Sequence, residues 1–100
     1  MPQTLTASQK RHLRGLAHAL KPVIQIGAKG VTPALLAELE QALEHHELLK
    51  VKLAAENREA CDALVDELSQ SVDAALVQRI GHTVVLFRRN REQPQIILPR

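Results

Sequence analysis

Hydrophobic and polar positions repeat along the chain with two different periods. Near the start, apolar residues fall at i, i+3, i+4 and i+7, the spacing of one buried helix face, and these are Leu13, Leu16, Ala17 and Leu20. This helix is expected to begin after Thr6, which forms a capping box with Gln9, and to end at about Ala19 or Leu20. Lys21-Pro22 then stops it, because a residue before proline avoids the helical conformation.

Two further helices and four strands follow from the same patterns. The helices are predicted at about 33–46 and from the cap Asn57 to about 70, and the strands at 23–26, 48–54, 75–80 and 83–88. Gly81-His82 joins the last two strands as a hairpin. The alternation predicts a single-domain α/β (α+β) fold in the order α-β-α-β-α-β-β, with a four-stranded mixed sheet flanked by helices. Residues 96–98 are expected to dock as a short extra segment or edge strand.

Composition indicates one globular domain. The 100 residues are 45% hydrophobic and 24% charged, which suits one core and is too little chain for two. No apolar run reaches membrane-spanning length, and the N-terminus lacks the apolar core of a signal peptide. The lone Cys61 cannot form an internal disulfide and is expected to be a small core residue. We therefore expect a cytoplasmic monomer with no membrane partner.

The charges are segregated along the chain, although the net charge is only +2. Residues 1–30 carry five basic residues and no acidic one, residues 31–70 carry nine acidic against three basic, and residues 71–100 carry five arginines against two acidic. This distribution predicts a basic face for a polyanion and an acidic face turned away from it. The alternative is a mixed surface on which the charges average out.

Basic residues of the first predicted helix form a stripe of their own. Lys10, Arg14 and His18 fall at i, i+4 and i+8, with Arg11 beside them and Lys21 just beyond the helix. Like charges at this spacing repel by roughly 0.2–0.5 kcal/mol per pair, and no acidic residue offsets them. The stripe therefore favours a functional explanation.

A G-x-x-G loop, Gly27-Ala28-Lys29-Gly30, joins the first strand to the second helix. The glycines allow a sharp turn and a close approach of backbone to ligand, and Lys29 adds a mobile charge. Thr32 is a good N-cap and Pro33 suits the first helical position, so free N–H groups lie next to the loop and suit a phosphate. The alternative is an ordinary strand-to-helix turn.

A second basic run, Arg88-Arg89-Asn90-Arg91, follows the last strand. It either extends the basic face or is solvated, and we favour extension, so Arg88 and Arg89 join the candidate contacts. Phe87 is the one aromatic residue, which nearly excludes stacking of splayed bases. What is left is clamping of a nucleic-acid backbone by the glycine loop and the cations, with modest sequence specificity.

Catalysis is the weaker interpretation. The titratable cluster Glu44-His45-His46-Glu47 places adjacent histidines about 100° apart on a helix, where they do not share a metal easily. A helix C-terminus that favours cationic histidine explains them better. No G-K-[ST] follows the loop, so it is not a P-loop. We expect no enzyme, no metal and no cofactor; a protein-binding adaptor that uses the acidic helix 57–70 is the third class.

Several of these segments together resemble the CRM domain (chloroplast RNA splicing and ribosome maturation) in its stand-alone bacterial form, the YhbY-type proteins. The resemblance rests on residues 11–18, 21–23, 27–30, 40–48, 50–52, 81, 85–88 and 98–100. Phe87 is a departure, because many members have tyrosine there.

The resemblance implies an RNA-binding domain with a fold similar to the C-terminal domain of bacterial translation initiation factor three. It also implies association with precursors of the large ribosomal subunit, so that the partner is RNA and in particular ribosomal RNA. The family's G-x-x-G loop and basic first helix carry over to Gly27–Gly30 and to Lys10, Arg11 and Arg14. A general RNA chaperone is the alternative function.

Overall fold

A computed structural model describes residues 5–27, 30–54, 57–90, 92 and 96. Three helices and four strands follow one another in the order α1 (Ala7–Ala17), β1 (Ile24–Ile26), α2 (Pro33–His46), β2 (Leu48–Leu53), α3 (Arg58–Val72), β3 (Ala75–Ile80) and β4 (Thr83–Phe87). This order is the predicted one, and most boundaries lie within two residues of the expected positions.

The strands form one mixed sheet in the order β1-β2-β4-β3. β1 pairs parallel to β2, with Ile24 opposite Val51 and Ile26 opposite Leu53. β4 pairs antiparallel to β2 on one side and to β3 on the other. The parallel pair needs a crossover, which α2 supplies. The predicted four-stranded mixed sheet flanked by helices is therefore confirmed.

The two faces of the sheet are covered by different helices. On one face, which we call the α2/α3 face, the core includes Leu39 and Leu43 of α2 and Val65 and Leu68 of α3. On the opposite face, the α1 face, Leu13 and Ala17 pack on a smaller cluster formed by Leu48, Val77, Val85 and Phe87. Successive strand residues point to opposite faces, so β2 and β4 contribute to both clusters.

Helix α1 is shorter than the sequence predicts. It ends at Ala17, and Leu20 N–H donates to the Ala17 carbonyl at 2.9 Å in a tighter turn. Of the predicted stripe, Leu13 and Ala17 are buried, whereas Leu16 and Leu20 are 42% and 38% exposed. The expected end at Ala19 or Leu20 is therefore wrong, because the chain leaves the helical path two to three residues earlier to enter β1.

Glu47 joins α2 to β2 and is completely buried. Its φ of 61° lies in the left-handed region, which reverses the chain between the helix and the strand. Its carboxylate accepts hydrogen bonds from the backbone N–H groups of Asn90 at 2.7 Å and Ile96 at 2.8 Å. Ile96 packs against the cluster on the α1 face. The expected docking of the C-terminal segment is thus seen at Ile96, while residues 97 and 98 lie outside the described part of the chain.

Candidate nucleic-acid interface

Helix α1 turns its basic side to solvent. Leu13 and Ala17 hold the helix on the sheet, and Lys10, Arg11 and Arg14 are exposed along it. Thr6 and Gln9 form the predicted capping box, which fixes where the helix begins. A rise of 1.5 Å per residue separates side chains four positions apart by about 6 Å along the helix. The basic stripe therefore presents a row of regularly spaced cations.

His18 and Lys21 prolong this row beyond the helix. His18 is the C-cap of α1, and both side chains are exposed. Val23, at 50% exposure, donates its N–H to the carbonyl of Lys50 at 3.1 Å. This hydrogen bond places the end of the α1–β1 connection beside strand β2. The basic residues predicted from the sequence therefore follow a path from α1 toward the open part of the α1 face, by which we mean the area around the exposed Gln25 and Lys52.

Two lysines of β2 lie on the α1 face beside this path. Leu49, Val51 and Leu53 of β2 enter the core of the α2/α3 face, so Lys50 and Lys52 point the other way. Lys50 is half-buried and Lys52 is exposed, and Lys52 pairs in register with the exposed Gln25 of β1. The sequence indicated a wet or ligand-facing side of this strand, but these two residues were not among the predicted contacts.

Glycine residues of the G-x-x-G loop lie at the end of β1. Gly30 N–H donates to the Gly27 carbonyl at 3.0 Å, which closes a tight turn. Gly30 has a φ of +71°, a conformation that favours glycine, whereas Gly27 is not in that region. Ala28 and Lys29 lie outside the described residues. Thr32 caps α2 as predicted, with its hydroxyl accepting from Leu35 N–H at 3.1 Å.

Three loops meet at one edge of the sheet, which we call the loop edge. Ala54 N–H donates to the Ile26 carbonyl at 2.9 Å, and Leu53 N–H donates to the His82 carbonyl at 2.7 Å. These bonds bring the G-x-x-G loop, the end of β2 and the hairpin turn Gly81-His82 together. Since Ile26 is opposite Leu53, Lys52 lies next to the start of the glycine loop.

Acidic side chains gather on the other side of the sheet. Helices α2 and α3 cover the α2/α3 face and carry most of the acidic residues of the described chain, namely Glu38, Glu40, Glu44, Glu59, Asp62, Asp66 and Glu67. Between residues 5 and 27, the described stretch that contains α1 carries no acidic residue. The sheet therefore separates a basic surface from an acidic one.

Arg88 and Arg89 lie away from the basic surface of α1. Arg88 follows Leu86 on the α2/α3 face, and its guanidinium donates to Glu40 Oε2 at 2.8 Å and to the Val72 carbonyl at 3.0 Å. Its side chain is only 17% exposed. Arg89 is exposed but lines a cavity with the acidic residues Glu40 and Glu44. We therefore leave both arginines out of the interface.

The aromatic residue and the titratable cluster singled out in the sequence occupy definite places in the described chain. Phe87 is fully buried and cannot stack on a base. The rings of His45 and His46 lie at the end of α2, 4.9 Å apart in a T-shaped arrangement, while Glu47 is used inside the fold. Over the described ranges, no group of three or more metal-ligating side chains comes together. The same ranges contain no helix long and apolar enough to cross a membrane.

Comparison with known proteins assigns the chain to a family. The family model described as CRS1 / YhbY (CRM) domain matches residues 5–88. The chain belongs to the CRM domain family. The predicted resemblance is thereby confirmed, and the match covers α1, the G-x-x-G loop and all four strands of this CRM domain.

Two relatives and one solved structure match this CRM domain over nearly their whole lengths. An "RNA-binding protein" of Haemophilus influenzae is 47% identical over 97 residues, which cover 97% of each chain. "Probable RNA-binding protein YqeI" of Bacillus subtilis is 39% identical over 95 residues, or 95% of this chain and 99% of that protein. The solution structure of a hypothetical protein from Staphylococcus aureus has a TM-score of 0.82 at 38% identity and covers 96% of this chain and 100% of that one.

Proposed function

We propose that this protein binds RNA through the surface formed by α1, the open part of the α1 face and the G-x-x-G loop. The observation that carries the proposal is the separation of charge by the sheet. Exposed cations line α1 and continue through Lys50 and Lys52 of β2, while the acidic helices cover the opposite face. A surface of this kind attracts a polyanion and orients it.

The chemistry of the surface favours recognition of the RNA backbone. Lysine, arginine and free backbone N–H groups contact phosphates, which position a nucleic acid without reading its bases. The buried Phe87 leaves no aromatic platform in the described chain. Affinity therefore comes from charge and shape, and sequence preference is modest.

The cellular target we propose is the precursor of the large ribosomal subunit, whose assembly the protein assists in the cytoplasm. Two relatives that span nearly the whole chain are named as RNA-binding proteins, which supports RNA as the partner. A domain that recognises the shape and the phosphates of an RNA, rather than its bases, suits a folded ribosomal RNA. Lys29 in the glycine loop adds a further proposed contact.

Crosslinking in cells tests this proposal. RNA crosslinked to the protein is sequenced, and crosslinked fractions are compared across a sucrose gradient of ribosomal particles. We expect the reads to concentrate on large-subunit ribosomal RNA and the protein to migrate with precursor particles. Reads scattered over messenger RNA would instead indicate a general RNA chaperone, and a variant with Lys10, Arg11 and Arg14 changed to Gln serves as the control with a weakened surface.

A further inference from the structure

A cationic cleft opens at the loop edge, on the α3 side of the sheet. It has a volume of about 380 Å³ and is lined by Arg58, Cys61, Arg79, Gly81 and His82. We propose that this cleft binds a backbone phosphate of the same RNA, just beyond the G-x-x-G loop. The inference rests on the proposed function and extends its surface around the edge of the sheet.

Three separate elements bring basic side chains into the cleft. Arg58 is the first residue of α3, Arg79 belongs to β3, and His82 lies in the hairpin turn. Arg58 and His82 are exposed, and neither has an ion-pair partner among the described residues. Two of the three groups are therefore available to a phosphate.

Gly81 lines the cleft and leaves room for a ligand beside the turn. Gly81 has a φ of +57°, and a Cβ added there would meet no atom within 4 Å. The Gly81 carbonyl accepts from Arg79 Nε at 3.5 Å and lies 4.0 Å from Cys61 Sγ, which holds the turn against α3. Because Gly81 has no side chain, none obstructs a ligand on this side of the cleft.

The cleft also continues the proposed RNA path. His82 accepts a hydrogen bond from Leu53 N–H at 2.7 Å through its carbonyl, and the neighbouring Thr83 pairs with Lys52. Lys52 lies on the α1 face, whereas Arg79 is opposite Val84 and faces α3. An RNA strand that leaves Lys52 over the loop edge therefore meets this cleft next.

Asp62 is the internal competitor for the phosphate. Its carboxylate forms an ion pair with the Arg79 guanidinium and is 53% exposed. A bound phosphate would have to share Arg79 with this carboxylate. Neutralising Asp62 should therefore strengthen RNA binding by more than the loss of one negative charge elsewhere on α3 does.

Asp66 supplies the matched control. It lies one turn further along α3 and is also exposed, so Asp66→Asn changes the net charge equally without touching Arg79. We would measure binding of a labelled 20-nucleotide oligouridine and of a 16-base-pair RNA duplex by fluorescence anisotropy. Asp62→Asn is expected to tighten binding about two- to threefold relative to Asp66→Asn, and Arg58→Gln to weaken it about three- to tenfold, the range of one exposed charge-assisted contact.

Arg14→Gln separates failure of this inference from failure of the proposed function. If Arg14→Gln weakens binding while Asp62→Asn matches Asp66→Asn and Arg58→Gln binds like the wild type, the cleft is not part of the interface. If Arg14→Gln also leaves binding unchanged, the proposed RNA surface itself is wrong. Melting curves of every variant verify that the folded protein is being compared.

An NMR titration locates the contact directly. Adding the same RNA to nitrogen-15-labelled protein is expected to shift the amide signals of Gly81 and His82 together with those of α1. Unshifted Gly81 and His82 signals at saturation would overturn the inference. Saturation of the same signals by inorganic phosphate alone, at the RNA concentration used, would assign the cleft to small anions instead.

Discussion

Alanine substitutions of the two loop glycines separate a phosphate-binding role from a turn-forming role. Gly30 has a φ of +71°, which costs a residue with a Cβ about 1–2 kcal/mol. An added Cβ would lie 3.8 Å from Leu64 Cδ2, an ordinary contact, so no clash increases this cost. Gly30→Ala should therefore lower the free energy of unfolding by about 1–2 kcal/mol, or the melting temperature by roughly 5–15 °C for a domain of this size.

Gly27 is the matched control because its backbone conformation does not require glycine. It is outside the left-handed region, and an added Cβ would meet nothing within 4 Å. Gly27→Ala should leave stability unchanged or raise it by about 0.4–1 kcal/mol through a less flexible unfolded chain. If the loop approaches RNA phosphates closely, however, the added methyl group should weaken RNA binding several-fold in both variants.

Denaturation in urea and RNA affinity are measured on the same preparations. Circular dichroism gives the free energy of unfolding, and anisotropy with a labelled RNA gives the dissociation constant of the folded fraction. Lys29→Ala removes the loop charge without adding bulk and should weaken RNA binding no more than Gly30→Ala does. Wild-type affinity in Gly27→Ala, together with a destabilised Gly30→Ala of unchanged affinity, would show that the glycines serve the turn alone.

Three further variants test other parts of the structure. Changing Lys50 and Lys52 together to Gln should reduce RNA affinity and flatten its salt dependence while preserving the fold; an unchanged salt dependence would exclude β2 from the interface. Arg88→Gln should destabilise the protein by about 1–2 kcal/mol through loss of its hydrogen bonds to α2 and α3 and leave the affinity of the folded fraction unchanged; an unchanged free energy of unfolding would contradict this structural role. Glu47→Gln should cost about 2–3 kcal/mol, because the amide can accept at one oxygen while its NH2 group opposes the second backbone donor; equal melting temperatures would contradict this role of the carboxylate.

Local signals in the sequence predict most of the fold. The caps Thr6, Thr32 and Asn57 and the turn Gly81-His82 mark where elements begin or reverse, and the hydrophobic period separates helices from strands. These signals depend on residues only a few positions apart, so they can be recognised without knowing how the rest of the chain folds. The sequence pattern places the end of α1 too late, because Leu16 and Leu20 continue the apolar spacing of the helix. In the structure the chain has already turned toward β1 before Leu20.

Long-range contacts limit what the sequence reveals about the site. Arg88 looks like an extension of the basic face, but its position relative to Glu40 depends on how β4 packs against α2. Lys50 and Lys52 show the right alternation for a ligand-facing strand, yet only the sheet order places them beside α1. Glu47 gives no local sign that it lies buried with a positive φ and binds the C-terminal segment.

The salt dependence of RNA affinity tests the central claim most directly. The described surface offers six candidate phosphate contacts, namely Lys10, Arg11, Arg14, Lys21, Lys50 and Lys52. At about −0.7 per contact for single-stranded RNA, the slope of log affinity against log salt concentration should be about −4 for the wild type. Replacing Lys10, Arg11 and Arg14 by Gln should bring the slope to about −2. An affinity for single-stranded RNA that stays flat from low to moderate salt would contradict backbone binding by this surface.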